Sequence, residues 1–247
     1  MKLEGREETT KSKQWVAAAL VLSLLMLMPG LQRAENVSET MTEEKYIALT
    51  FDDGPSPETT PVLLDGLKAR GVHVSFFVLG AEAEKEPELL RRMQAEGHQI
   101  AQHTYSHVRL NTLNDAALTE ELQKTNALLQ DILGEGDYWI RPPYGLIRQR
   151  QYALAPAPLI TWSVDPEDWK LREEKAVSRA VVEQVRSGDI VLLHDIYPSS
   201  VSAALNIVDE LQKQGYTFLT VQELMQVYGV DAKAGELYRS PLLPGPW

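Results

Sequence analysis

From Lys45 onward, short apolar or β-branched runs alternate with longer helical patterns, and this alternation constrains the fold more than any other feature of the chain. The runs fall at 46–51, 72–78, 98–102, 138–141, 158–164, 189–193 and 216–220. Helical patterns stand between most of them, at 61–70, 84–96, 114–133, 173–186 and 199–214. Strands separated by helices pair in parallel, because a crossover of that length brings the chain back to the same end of the sheet. Thr60 with Pro61 reads as an N-cap and first-turn proline, and Gly71, Gly97, Gly188 and Gly215 read as helix stops. Seven units admit an open doubly wound sheet or a (β/α) barrel one unit short of the usual eight.

The flanks are different in kind. Residues 29–44 are polar and unpatterned and read as a linker, while 229–247, with "SPLLPGPW", reads as a docked or frayed tail. Trp15 to Met28 is an unbroken apolar run of 14 residues behind Lys11 and Lys13. That is the length of an export-signal core and falls short of the roughly 20 residues of a spanning helix. Residues 1–28 are therefore expected to be a signal peptide or an N-terminal membrane anchor that places the domain outside the cytoplasmic membrane.

Charge and composition exclude several classes. The formal charge is −11, and residues 1–33 hold five basic against three acidic side chains, so the remainder carries −13. Such a body repels nucleic acid and anionic lipid, and a neutral or mixed-charge substrate fits it better. With no cysteine, disulfide scaffolds, thiolate metal sites and a cysteine nucleophile are all ruled out.

Polar groups gather where the apolar runs end. The first ends in Asp52-Asp53, the third in "HTYSH" (103–107), the fourth in "RPPY" (141–144), the fifth in "SVDPEDW" (163–169) and the sixth in "LLHD" (192–195). Parallel α/β folds collect their chemistry at the carboxyl ends of their strands. Two adjacent carboxylates on a continuing strand would point to opposite faces, one of them unpaired in the core. They make sense if the strand stops there, Gly54 turns the chain, and both acids serve one site. Taken alone, the same Asp-Asp-Gly-Pro run is a polar turn capping a helix.

His103 and His107, four apart, supply two imidazoles on one side of their segment. With one carboxylate from Asp53 or Asp52 they form a three-ligand set with an open position, the pattern of a catalytic divalent-metal site. As an isolated spacing the pair is weak evidence. The aspartate left over could act as a base. Arg141, stiffened by the prolines after it, could hold that second carboxylate ionised, or be an ordinary ion pair. A carboxylate beside His194 would raise its pKa and suit it to give up a proton; otherwise it is a satisfied core histidine. Trp169, Tyr144 and Leu192 are core residues or an apolar wall beside a reacting carbonyl. His73 and His98, in or next to apolar runs, read as structural.

"TFDDGPS", "HTYSH", "RPPY", "DPEDW" and "LLHD", in this order and spacing, resemble the five motifs of polysaccharide deacetylases of the NodB-homology type, carbohydrate esterase family 4. The resemblance covers about residues 46–227. It implies a distorted (β/α)7 barrel over 45–228 and a hydrolase that removes an N-acetyl group from an amino sugar with a divalent metal, usually zinc, with cobalt, manganese and nickel as alternatives. It further implies that Asp53, His103 and His107 hold the metal and that Asp52 is the general base, oriented by Arg141. The Tyr144 N–H then helps hold the oxyanion, His194 is the general acid oriented by Asp168, and Trp169 and Leu192 shape the acetyl pocket. On this reading Asp52 has a depressed pKa and His194 a raised one. One departure is "GLIRQRQYALAPAP", short for the helix the family carries there.

The expected substrate is N-acetylglucosamine in peptidoglycan of the cell's own envelope, acted on by a monomer. An O-acetyl esterase on acetyl-xylan or a chitin-type deacetylase is the alternative within the family. A non-haem iron oxygenase shares the two-histidine, one-carboxylate set but has no use for a spare aspartate and a distal His-Asp pair. A silent sugar-binding module would not need Asp52 or His194.

Overall fold

Strand β1 (Lys45–Asp52) is fully buried from Ile47 to its last residue, as a strand covered on both faces must be. The structure, a computed structural model, describes residues 44–136 and 138–245. The expected leader and the linker up to residue 43 lie outside the described residues. Beyond β1 the strands are β2 (Ser75–Val78), β3 (Gln99–Gln102), β4 (Leu159–Ile160), β5 (Ile190–His194), β6 (Tyr216–Phe218), β7 (Leu237–Ser240) and β8 (Leu243–Pro244). The helices are α1 (Thr60–Arg70), α2 (Gly80–Ala83), α3 (Pro87–Ala95), α4 (Asp115–Leu133), α5 (Asp168–Leu171), α6 (Glu174–Gln184), α7 (Pro198–Lys213) and α8 (Val221–Val227).

The parallel sheet runs β3-β2-β1-β5, with β6 on the first residues of β1. A smaller sheet joins β4 to β7 in parallel and β7 to β8 in antiparallel. Single bridges link the two sets, from Gln102 to Ile140, from Ile140 to Leu159, and from Val164 to Val191. Pairing thus passes around the molecule from β3 to β5, but by isolated contacts instead of a continuous ladder.

Three expectations change, the first at Thr60, which is the first residue of α1 with Thr59 at its N-cap. The run at 138–141 is not a strand: Ile140 alone bridges its neighbours, and Pro142 and Pro143, which have no N–H, bar any extension. Short 3-10 turns at Pro143–Gly145 and Gln149–Leu154 fill the place of the family's helix. Gly188 does not cap α6, which ends at Gln184 with Val185 extended; its N–H instead reaches the Tyr46 carbonyl at 2.8 Å. The stretch after Val230 is docked through β7, whose Leu237 and Tyr238 pair with Leu159 and Ile160.

The core forms where helices cover the sheet. Leu63, Leu64 and Leu67 of α1 and Ile207, Val208 and Leu211 of α7 join Leu49 and Phe51 of β1 in one cluster, all buried. Each such side chain contributes roughly 1.5–3 kcal/mol through the surface it removes from water. The packing also sets register. Asp52 stands level with Phe77 on one side and His194 on the other, so strand pairing itself brings the first carboxylate beside the last histidine.

Candidate active site

Beyond Asp52 the chain leaves the sheet through Asp53, whose φ of 74° is left-handed. The turn expected at Gly54 is made here instead. Gly54 is required for a different reason: a Cβ on it would run into the Asp195 carboxyl. That carboxyl accepts a hydrogen bond from the Thr60 hydroxyl, while the Ser56 N–H donates to the same hydroxyl at 2.8 Å. The loop after β1 is thus clasped to the end of β5. Asp195 is fully buried, and burial pushes its carboxyl up to about 7.

The described non-glycine residues with positive φ are Asp53, Thr104, His107, Tyr144, Glu167 and Arg172. All but Arg172, which caps the C-terminus of α5, lie in loops that follow strand ends or the Ile140 bridge. Such conformations cost of order 1–3 kcal/mol each and concentrate where function holds them.

Asp52 and Asp53 have different surroundings. Asp52 is 2% exposed, and its Oδ1 accepts from an Arg141 guanidinium N–H at 2.6 Å. Arg141, fully buried, also donates to the Thr50 hydroxyl at 2.7 Å and the Thr161 carbonyl at 3.0 Å, and lies 3.9 Å above the Phe77 ring. Burial raises the Asp52 carboxyl above its ordinary value, and the opposing pull of Arg141 offsets only part of that. Arg141 by itself therefore does not produce the depression expected of Asp52, because desolvation outweighs the guanidinium. Asp53 Oδ1, by contrast, is buried without a hydrogen-bond partner.

That orphan oxygen lies 3.4 Å from His107 Nε2 and 3.7 Å from His103 Nε2. One ligand atom from each of the three residues falls within 4.8 Å of the others. His103 Nδ1 faces the Arg141 carbonyl at 2.7 Å. A carbonyl only accepts, so Nδ1 carries the hydrogen and Nε2 presents a lone pair to the group. Burial lowers the His103 pKa to about 3, keeping it neutral as a ligand must be. An unsatisfied carboxylate oxygen beside two imidazole nitrogens fits a divalent cation.

His194 stands across from this group, its Nε2 4.0 Å from Asp53 Oδ2. The fully buried Asp168 receives its Nδ1 at 2.8 Å and its backbone N–H at 2.8 Å. Burial acts to lower the His194 pKa, but the hydrogen bond and charge of Asp168 outweigh it and raise the value to about 9. Eight of the ten predicted residues line one cavity of about 380 Å³, while Arg141 and Asp168 sit behind it. Trp162, Asp165 and Tyr197 line it too, and the sequence reading passed over all three. Their signal was position, since each lies within a few residues of a strand end.

A polysaccharide deacetylase family model matches residues 39–156. The peptidoglycan-N-acetylmuramic acid deacetylase PdaC of Bacillus subtilis is 40% identical over 184 residues, 74% of this chain and 39% of that protein. The peptidoglycan-N-acetylglucosamine deacetylase PgdA of Listeria monocytogenes is 35% identical over 238 residues, 96% of this chain and 50% of that protein. The chain therefore spans half or less of the length of these two. A peptidoglycan-N-acetylglucosamine deacetylase of Bacillus cereus is 35% identical over 196 residues, 76% of this chain and 92% of that protein. The solved PdaC structure superposes with a TM-score of 0.74 at 40% identity, covering 76% of this chain and 93% of that one. A family 4 acetyl xylan esterase of Clostridium thermocellum, solved with a cobalt ion, gives 0.75 at 29% identity, covering 79% and 98%. One relative matched over nearly its whole length and solved folds of the same shape agree with what the strand-end residues imply: this chain belongs to the polysaccharide deacetylase family.

Proposed function

We propose that the chain hydrolyses the N-acetyl group of N-acetylglucosamine residues in peptidoglycan, releasing acetate. The observation that carries this reading is the separation of two carboxylates in one cavity. Asp52 is held by Arg141, while Asp53 is left open toward two histidines. Asp53, His103 and His107 would hold a divalent metal, zinc by the resemblance. When bound, that ion supplies Lewis-acid polarisation of the acetyl carbonyl and a water more easily deprotonated.

The remaining roles belong to the chain's own groups. Asp52, aimed by Arg141, takes the proton from the attacking water, and its burial-raised pKa makes it a stronger base than an exposed aspartate. The Tyr144 N–H helps hold the oxygen on which charge develops. His194, kept protonated by Asp168, delivers its Nε2 proton to the departing nitrogen. Trp169 and Leu192, both on the cavity wall, exclude water around the acetyl methyl.

Relatives named for peptidoglycan support the polymer, and the apolar run at 15–28 supports delivery to the wall by export or anchoring. Among the described residues no helix is long and apolar enough to cross a membrane. A second reading, O-acetyl esterase on xylan, is favoured by one observation: the acetyl xylan esterase superposes as well as PdaC does. Identity separates them, at 29% against 40%. The test incubates zinc-loaded protein with peptidoglycan, chitin oligomers and acetyl-xylan and measures acetate. Release chiefly from peptidoglycan supports the proposal; fast release from acetyl-xylan with none from the amino sugars moves the function to the esterase.

A further inference from the structure

The arginines of the domain that meet a carboxylate include Arg70 with Asp209, Arg91 with Glu88, Arg92 with Asp65, Arg141 with Asp52 and Arg150 with Asp115. Two others instead stack on tyrosines of the cavity wall. Arg109, exposed, lies 4.6 Å over the ring of Tyr144. Arg172, also exposed, lies 3.9 Å over the ring of Tyr197, with its Nε donating to the Trp169 carbonyl at 2.9 Å. Among the described residues neither has an acidic partner within ion-pair distance. The two rings beneath them belong to the cavity wall. Tyr144 leans on His107, centroids 4.9 Å apart, and Tyr197 stands beside His194 at 6.2 Å. These two histidines face different oxygens of Asp53.

We propose that Arg109 and Arg172 are carboxylate-reading residues, and that the preferred substrate is an anionic glycan carrying acidic groups on the sugars that flank the reacting one. The inference rests on the deacetylase reading above and narrows its substrate. Stacking on an aromatic face pre-orders a guanidinium and leaves its N–H edge free, the geometry that receives a carboxylate in pairs of hydrogen bonds. The need for such groups follows from the charge of the molecule. The chain after residue 33 carries −13, and the mouth already presents Asp53, Asp165 and the nearby Glu58 and Glu82. An acidic polymer would be repelled from that rim unless cations stood on it. A neutral polymer such as chitin would give these two arginines no partner.

In a wall glycan the acid has two sources: the carboxyls of attached peptide, and the lactyl carboxyl of the alternate sugar, which is free only where the peptide amide on it has been cleaved. Three soluble substrates distinguish them: wall fragments with peptide, the same fragments stripped by an amidase, and neutral chitopentaose. The zinc-loaded full chain and its R109Q, R172Q, R109K and doubly substituted R109Q/R172Q forms are assayed for kcat/KM and, separately, for the Kd of each glycan. The expected result is a wild-type preference for acidic fragments over chitopentaose. Each glutamine variant should lower that ratio by about fivefold, the upper weight of one solvent-exposed ion pair. The double variant and 0.5 M salt should largely abolish the ratio, and R109K should retain part of it. A preference that appears only after amidase treatment assigns the lactyl carboxyl, one lost with the peptide assigns the peptide acid, and one present in both fragments shows that the arginines read either carboxylate. Equal losses on neutral and acidic glycans, or no change in the ratio, would overturn the proposal. If no substrate releases acetate, the deacetylase reading fails, while the Kd ratios still decide this one; binding without charge preference ends it.

Discussion

His98 and His103 stand at the two ends of the same four-residue strand, β3, and both are buried. Burial lowers both pKa values, to about 4 and about 3. Their surroundings then diverge. His103 turns its free nitrogen toward Asp52 and Asp53, with its other nitrogen pinned by the Arg141 carbonyl. His98 accepts from the Val74 N–H at 3.2 Å, and its Nε2 has no partner among the described residues. Around it lies a polar cavity of about 430 Å³ with Gln99, Thr220 and Glu223 on its wall and no second histidine or aspartate. The contrast teaches that a buried, neutral histidine is not a site. Convergence of several strand ends makes one, and it occurs only at the carboxyl end of the sheet.

The largest effects should come from breaking that convergence. Asp53→Asn or His107→Ala should lose bound metal and activity together, measured by elemental analysis beside acetate release. Asp52→Asn should keep the metal while turnover falls by about two orders of magnitude or more, the weight of a general base. At the other end of β3, His98→Asn should leave metal content and turnover as they were. Equal metal loss in the two aspartate variants would end the division of labour drawn between them.

Next in size is a shift of pH profile. In the proposed reaction His194 acts in its protonated form, so activity should fall as pH rises through its raised pKa of about 9. Asp168→Asn removes the charge that holds the proton, and the alkaline limb should move to lower pH by at least about one unit. A limb that stays in place would deny Asp168 its orienting role.

Why one end of β3 was readable in the sequence follows from the same contrast. Asp52, His103, Arg141 and His194 each end an apolar run, and parallel strands deliver their ends to one rim, so alternation plus endings was enough. What escaped depends on distance through space. Desolvation outweighs the Arg141 guanidinium at Asp52, and sequence displays a neighbouring arginine but not the walls around it. The pairing of β7 with β4 joins residues far apart in the chain, and "LYRS" carries no pattern that announces it. Trp162 and Tyr197 are ordinary aromatics until the loops fold over one cavity.

The quiet end of β3 makes its own prediction, about stability. His98 has its pKa lowered in the folded state, to about 4 from an ordinary 6.5. The unfolded chain therefore takes up this proton first. The contribution is fully present above pH 6.5 and is lost as pH falls toward 4, reaching about 3 kcal/mol. His98→Asn keeps an acceptor for the Val74 N–H and cannot titrate there. Urea unfolding of wild type and variant at pH 7 and pH 5 should show a smaller acid-side loss in the variant, and parallel losses would refute the assignment.

The smallest effect lies in the wall of the same cavity. Thr220 and Glu223 form a capping box at the start of α8: the Thr220 hydroxyl accepts the Glu223 N–H at 3.2 Å, and Glu223 Oε2 accepts the Thr220 N–H at 2.8 Å. The first N–H groups of a helix have no partner within it, so each box satisfies donors that would otherwise be lost. Just beyond, the Val221 N–H reaches the Ser75 hydroxyl at 2.8 Å, tying the helix start to the sheet. Thr220→Ala removes the two bonds that its hydroxyl makes with the Glu223 N–H and carboxylate and leaves the links made by backbone N–H groups to Glu223 and Ser75, which limits the cost to about 1 kcal/mol. Nothing in the cavity at the opposite end of the strands touches this box, so kcat, KM and metal content should not move. A change in turnover from Thr220→Ala would show that the two ends of the sheet are coupled, and the division between a working end and a stabilising end would have to be redrawn.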